Sequence, residues 1–303
     1  MSAPLSEVDV AATTSRAADT GPWRLAMRRL RRDRVAMVAL TVLAVFVAAA
    51  LFAPLVAPYP PNAQPDIVGL ARVAPSWSHP FGTDIFSRDV LSRVIYGARI
   101  SLGVATLAIL LAMSAGTAWG AVAGYAGGAT DAVMMRIIDA LLSVPRILIL
   151  LLVLGLWGNI SLPMLVLVLG LTGWFGTSRL VRERVRALSK QDFTLAARAI
   201  GARDIRVLWR HVLPNALSPV IVAATLGIGN VIVLEAALSY LGIGVRPPHA
   251  SWGNIIEDGA DQIGSAWWIA LFPGLAMLVT VIAFNLLGDA LRDALDPRDE
   301  RRP

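Results

Sequence analysis

The chain contains no cysteine, which excludes a disulfide frame, a thiolate metal site and a cysteine nucleophile. Among 27 basic residues only Lys190 is a lysine. No glycine-rich run therefore ends in Gly-Lys-Ser or Gly-Lys-Thr, and a P-loop for nucleotide is excluded. The three histidines, His79, His211 and His249, stand far apart and read as loop or interface residues, so no metal site is expected. Charge is scarce as well: 16% of residues are charged and 56% hydrophobic, where soluble chains carry roughly 25% charged residues. No charged residue falls in 35–65, 100–130, 147–178, 211–234 or 262–288, and apolar runs of that length need lipid as their solvent. A soluble enzyme, a disordered chain and a coiled coil are excluded. The net charge of +6 does not point to nucleic acid, because the arginines flank the apolar runs instead of lining a soluble face. They orient the chain in a bilayer.

What is present divides the chain into six spans. Residues 1–22 are rich in Ser, Ala and Thr without any helical or strand period, and are expected to form a disordered cytosolic tail. A basic entry segment, 23–34, carries six arginines and leads into the uncharged run Val35–Ala57, long enough to cross a bilayer of about 30 Å. Pro54, Pro58, Pro60, Pro61 and Pro65 end that span. The second apolar run is Ile100–Gly128. The run 147–178 is too short for two complete spans, so the third is placed at Ala132–Trp157 and the fourth at Leu162–Ser178, with Gly155, Gly158, Asn159 and Pro163 between them. A charged loop, 179–211, precedes a fifth span, Val212–Leu238, and a sixth, Trp267–Gly288.

The segments 24–34, 179–210 and 292–302 fall on one side of such a six-span chain and hold 19 basic residues, against 5 in 59–99 and 239–266. The arginine-rich side is expected to be cytosolic, with both termini inside. Trp252, Trp267 and Trp268 then suit the outer headgroup level.

Within the spans, Gly116, Gly120, Gly124 and Gly128 recur every four residues and predict a helix-packing seam. Arg136, Asp139, Ser143 and Arg146 follow i, i+3, i+7, i+10, which on a continuous helix is one face. They are candidate pathway residues, with Asp139 paired to a neighbouring arginine and Arg146 roughly 15 Å deeper than Arg136. A bend at Pro145 that carries Arg146 to an interface is the alternative. Glu235, about 31 Å of helix beyond Pro214, is expected near the outer end of span five, at a gate or an aqueous boundary.

The loop between spans four and five, GTSRLVRERVRALSKQDFTLAARAIGARDIRVLWRHVLPN, is patterned as a short amphipathic helix. Leu188, Phe193, Leu195, Ala199 and Ile200 alternate with Lys190, Gln191, Arg198 and Arg203 near a 3.6-residue period. Gly201 allows a tight change of direction. Pattern alone leaves open whether this helix lies on lipid or against a partner.

Ala196-Ala197, then Gly201, then His211-Val212-Leu213-Pro214 resembles the "EAA" loop of ABC-importer permeases of the dipeptide, oligopeptide and nickel family, with Leu195 where that motif has glutamate. HPFGTDIFSRDVLSRVIYGARISL is similar to another signature of the family, with Phe86-Ser87 where Leu-Gly is usual. AGYAGGATDAVMMRIIDALLSVP and LEAALSYLGIGVRPPHASWGNII also resemble family segments, so the likeness runs over nearly all the chain beyond Gly21. The resemblance implies the all-α, six-span permease fold of a type I ABC importer in a bacterial inner membrane. It further implies a second homologous permease, two ATPase subunits and an extracytoplasmic binding protein as partners. ATP and Mg²⁺ would be bound by the ATPases, none by this chain, which would not be an enzyme. The loop would be the ATPase-coupling element, through Asp192, Leu195, Ala196, Ala197, Gly201, Ala202, Asp204 and Pro214. Peptides are the cargo the resemblance favours, with nickel chelates or glutathione as alternatives. An ion-coupled secondary transporter would show internal repeats, and no motif here has a second copy. A membrane-embedded hydrolase would need convergent histidines, carboxylates or a nucleophile.

Overall fold

The computed structural model describes residues 22–158 and 160–295, so the expected tail lies outside the described residues apart from Pro22. The described chain is helical. Its single extended pairing is an isolated bridge between Thr83 and Asp89.

A first helix, α1 (Pro22–Arg32), is followed after one residue by α2 (Arg34–Leu51). Asp33 separates them: its backbone is extended, and its carboxylate accepts from the amides of Val35 (2.8 Å) and Ala36 (3.3 Å). That caps the bare N-terminus of α2 and lets the chain turn. A single helical turn, Ala53–Val56, follows, and the rest of the proline-rich segment runs as irregular loop until Asp89 caps α3 (Val90–Ala126), 37 residues long. The span begins ten residues before the uncharged run because Arg93 and Arg99 lie within the helix.

The third and fourth spans are both broken. Helices α4 (Gly128–Leu142) and α5 (Arg146–Trp157) meet at 74°, and α6 (Leu162–Leu171) and α7 (Trp174–Leu188) at 41°. Pro145, which has no N–H to give a helix, accounts for the first break. Thr172 and Gly173 occupy the second. The fourth span thus continues to Leu188, ten residues past the expected Ser178. Of the loop 179–211, only 189–203 lies outside the long helices.

The short helix α8 (Asp192–Ala199) follows, and then α9, Asp204–Tyr240, unbroken over 37 residues. Pro214 sits inside α9, two residues after a π-helical segment, Leu208–Val212, whose wider turn accommodates a ring that would crowd the carbonyl four residues back. A capped helix, α10 (Trp252–Ala260), and a last one, α11 (Trp268–Leu295), complete the chain. Helices α2, α3, α9 and α11 are each long and apolar enough to cross a membrane, and the two bent pairs raise the number to six. This is an all-α, multi-pass membrane protein.

The most extensive packing is between α3 and α7. Gly116, Gly120 and Gly124 make it possible: a Cβ on Gly116 would lie 2.6 Å from Thr177 Cβ, one on Gly120 would collide with the Ser178 carbonyl, and one on Gly124 would lie 2.6 Å from the Arg182 carbonyl. Gly128 is not in this seam. Helix α3 ends at Ala126, Gly127 turns the chain with a φ of 63°, and a Cβ on Gly128 would meet nothing within 4 Å. The four-residue spacing simply outlasts the helix.

Two buried clusters result. One, at the end away from the arginines, centres on Val90, Ile232, Trp252, Ile255 and Ile269. The other, at the arginine-rich end, joins Ala121, Val181, Val185, Ala197, Leu208 and Val212. Trp252 belongs to the first and is fully buried, its Nε1 donating to the Val94 carbonyl at 3.0 Å. Trp268 is buried too, donating to the Thr83 carbonyl at 3.1 Å. Only Trp267 of the three is half exposed, so they do not form a headgroup belt. The indole N–H groups of Trp252 and Trp268 find carbonyls inside the protein instead.

Candidate functional site

At the arginine-rich end the chain between α7 and α9 is folded back against the spans. Ala197 inserts into the second buried cluster, and Thr194, also buried, donates to the Leu188 carbonyl at 2.8 Å. Gly201 takes a φ of 84° and reverses the chain, a conformation a Cβ disfavours. Asp204, the first residue of α9, accepts from the Tyr125 hydroxyl (2.8 Å) and pairs with Arg198 (3.3 Å), while Arg198 also lies over the Tyr125 ring. The short helix is thereby tied to α3, α7 and α9 together. Asp192 and Ala196 are exposed and Ala202 half-buried. The outward residues include Phe193, Leu195 and, at 86% exposure, Ile200. Behind the helix an open cavity of about 520 Å³ is lined by Ala197, Ile200, Gly201, Ala202, Arg206, Arg210 and His211.

The candidate pathway residues do not share a face. Helix α4 stops at Leu142, Ser143 caps it, and Arg146 begins α5 after the 74° turn. Arg136 is exposed, and the Ser143 hydroxyl donates to its own helix, at the Ala140 carbonyl. Asp139 pairs with Arg179 of α7, and Asp131 accepts both Nε and Nη2 of Arg182 at 2.6 Å each. Arg146 reaches across to the other broken span. Its Nη2 donates to the Leu169 carbonyl (2.7 Å) and its Nε to the Thr172 hydroxyl (3.2 Å), at the C-terminal end of α6. A cation there satisfies a carbonyl that the helix leaves open and opposes the negative end of its dipole. The two breaks are therefore side by side, joined by one guanidinium. Between them is a cavity of about 250 Å³ lined in part by Pro145, Arg146, Thr172, Gly173 and Phe175.

Glu235 is not at an aqueous boundary. It is fully buried, accepting from Ser101 Oγ of α3 (2.9 Å) and Ser239 Oγ (2.7 Å), and Ser101 Oγ also receives the Trp252 amide at 3.2 Å. It joins α3, α9 and α10.

A second polar cluster at that end was not apparent from the sequence. Asp84, fully buried, accepts Arg88 Nε at 2.5 Å and lies 3.6 Å from Arg93 Nε. Both arginines also reach Asp258 of α10, at 2.8 and 3.0 Å. His79 Nδ1 is 2.9 Å from Asp89, whose other oxygen accepts from Ser92. Burial pushes the Asp258 carboxyl above the usual carboxylate range, against the opposing pull of Arg93 and Arg88. Burial, then Asp258 and Asp261, does the same to Glu257. The available signal was the alternation of acids and bases in Asp84, Arg88, Asp89 and Arg93, between the first two apolar runs. Among the described residues no group of three His, Cys, Asp or Glu is placed to hold a metal ion.

Residues 116–300 match the family described as binding-protein-dependent transport system inner membrane component. Residues 21–75 match the N-terminal transmembrane domain of oligopeptide transport permease C. The dipeptide transport system permease protein DppC of Alkalihalophilus pseudofirmus is 39% identical over 91% of this chain and 90% of its own length. The oligopeptide transport system permease protein OppC of Bacillus subtilis is 38% identical over the same shares. A putative peptide transport system permease protein of Brucella abortus is 41% identical over 91% of this chain and 92% of its own. With the broken spans, the glycine seam and the anchored short helix in place, this likeness over nearly the whole chain settles the family: the chain belongs to the binding-protein-dependent transport system inner membrane components.

Proposed function

We propose that the chain is one permease of an ATP-driven importer of di- or oligopeptides, gripped by its ATPase at residues 189–203. On this reading the arginine-rich end and both termini face the cytosol of a bacterial inner membrane. A second homologous permease, two ATPase subunits and an extracytoplasmic binding protein complete the assembly. ATP and Mg²⁺ are bound by the ATPases, and this chain catalyses no reaction. The observation that carries the reading is the two-sided short helix: Thr194 and Ala197 root it in the bundle while Phe193, Leu195 and Ile200 project outward. A push on the projecting side is delivered through Ala197, Arg198 and Asp204 to α3, α7 and α9 at once. That is what a nucleotide-driven closure requires in order to bias two arrangements of the spans.

The translocation path runs past the cavity between the two breaks. Interrupted backbone at membrane depth is tolerated where it is buried in protein or lines a water-filled space, and both interruptions adjoin this cavity. Peptide as cargo is supported by the named relatives.

Reconstituted with its partners, the complex should hydrolyse ATP faster when its binding protein is loaded with peptide than when it is empty. Gly201→Arg, or deletion of 191–205, should abolish co-purification of the ATPase. Retention of the ATPase by both variants would refute the docking assignment, and stimulation only by a non-peptide ligand would refute the cargo.

A further inference from the structure

Helix α1 carries a charge arrangement that the transport reading does not use. Ala26 and Leu30, at i and i+4, form its inner side, Ala26 buried and Leu30 half-buried, with α1 packed on α11. Arg28, Arg31 and Arg32 follow i, i+3, i+4 on the opposite side and are exposed, as is Arg34, the first residue of α2. Among the described residues none of these four guanidinium groups has a hydrogen-bond or ion-pair partner. At the same end Arg179, Arg182 and Arg198 are each committed to a carboxylate.

The depth of the four is set by the adjoining span. Val35 and Val38 are exposed on α2 and belong to a stretch with no charge until Asp66. Arg34 therefore stands at the edge of the hydrocarbon, and Arg28, Arg31 and Arg32 lie within two turns of it. That is the level of lipid phosphates. Position is fixed as well as depth. Packing on α11 and the Asp33 cap hold α1 at a set angle to the span, so the arginines are presented as a preorganised group. A planar guanidinium matches a phosphate in fork geometry.

We propose that Arg28, Arg31, Arg32 and Arg34 form a binding site for the phosphates of anionic phospholipids in the leaflet at the arginine-rich end. Such a lipid holds α1 down against α11, and α11 packs in turn on α2, α9 and α10. The first and last spans are thereby linked through the headgroup layer, independently of cargo and of ATPase.

The test uses the whole transporter, purified in detergent and re-lipidated with equimolar phosphatidylglycerol and phosphatidylcholine, with retained lipid counted by native mass spectrometry. The wild-type complex should retain phosphatidylglycerol selectively, and added salt should erode that selectivity. Each Arg→Gln change among the four should lower apparent affinity about fivefold. The Arg28→Lys/Arg31→Lys/Arg32→Lys variant, which keeps the charge, should retain more phosphatidylglycerol than the corresponding glutamine variant. Equal retention of both lipids by wild type, or selectivity insensitive to salt, overturns the proposal even if the glutamine variants fail to assemble. It is also overturned if those variants keep their phosphatidylglycerol but shed a protein subunit, because the arginines then belong to a protein contact.

Discussion

The two ends of the bundle hold their charges in opposite ways. At the end away from the arginines, Asp84, Arg88, Arg93 and Glu235 are buried, and their bonds join segments far apart in the chain, as from Arg88 to Asp258 or Ser101 to Glu235. At the arginine-rich end the only buried charge among the described residues is Asp131, against Arg182, and two other pairs are open to water: Arg179 and Asp139 are each about half exposed, and Asp204 is 72% exposed in its pair with Arg198. Buried pairs are costly to separate, while exposed ones exchange readily with solvent. One end is built to keep its geometry, and the other to shift without a large penalty.

The sharpest way to break this contrast is Asp84→Ala, which leaves Arg88 and Arg93 buried beside a vacated carboxylate. Loss of one partner of a buried pair costs about 3–5 kcal/mol, and thermal unfolding of the purified complex should show it. Gly120→Ala comes next. Its new methyl would collide with the Ser178 carbonyl, and forced overpacking costs about 1–3 kcal/mol. Gly103→Ala on the same helix meets nothing within 4 Å and should leave the unfolding temperature unchanged or slightly higher. Ser87→Gly should raise it. Ser87 has a φ of 61° and a buried hydroxyl without a hydrogen-bond partner among the described residues, and relief of left-handed backbone is worth about 1–2 kcal/mol. The smallest effect belongs to the open end: Arg179→Gln should cost under about 1 kcal/mol. A loss for Arg179→Gln as large as that for Asp84→Ala would erase the distinction between the ends.

The long apolar helices were legible because an uncharged run of that length finds its solvent in lipid, and the short helix at 192–199 because its period is local. The breaks were less so. Glycine and proline at 155–163 pointed to the connection between spans three and four, but whether Pro145 breaks or merely bends its helix depends on what receives the exposed groups. Here Arg146 finds its partners 23 and 26 residues away. Periodicity therefore placed Arg136, Asp139, Ser143 and Arg146 on one face of a helix that does not continue. The Asp84 cluster was hidden for the same reason at greater range, since Asp258 lies more than 160 residues from Arg88 and Arg93. Such residues resemble a solvated loop until the fold buries them.

Ile200, 86% exposed at the turn after the short helix, has a consequence for the cell that makes this chain. A subunit synthesised ahead of whatever covers that isoleucine displays a sticky tip to the aqueous phase, where chaperones and proteases survey newly made proteins. On the proposed importer reading, its abundance should then follow the supply of the ATPase that docks there more closely than its own rate of translation.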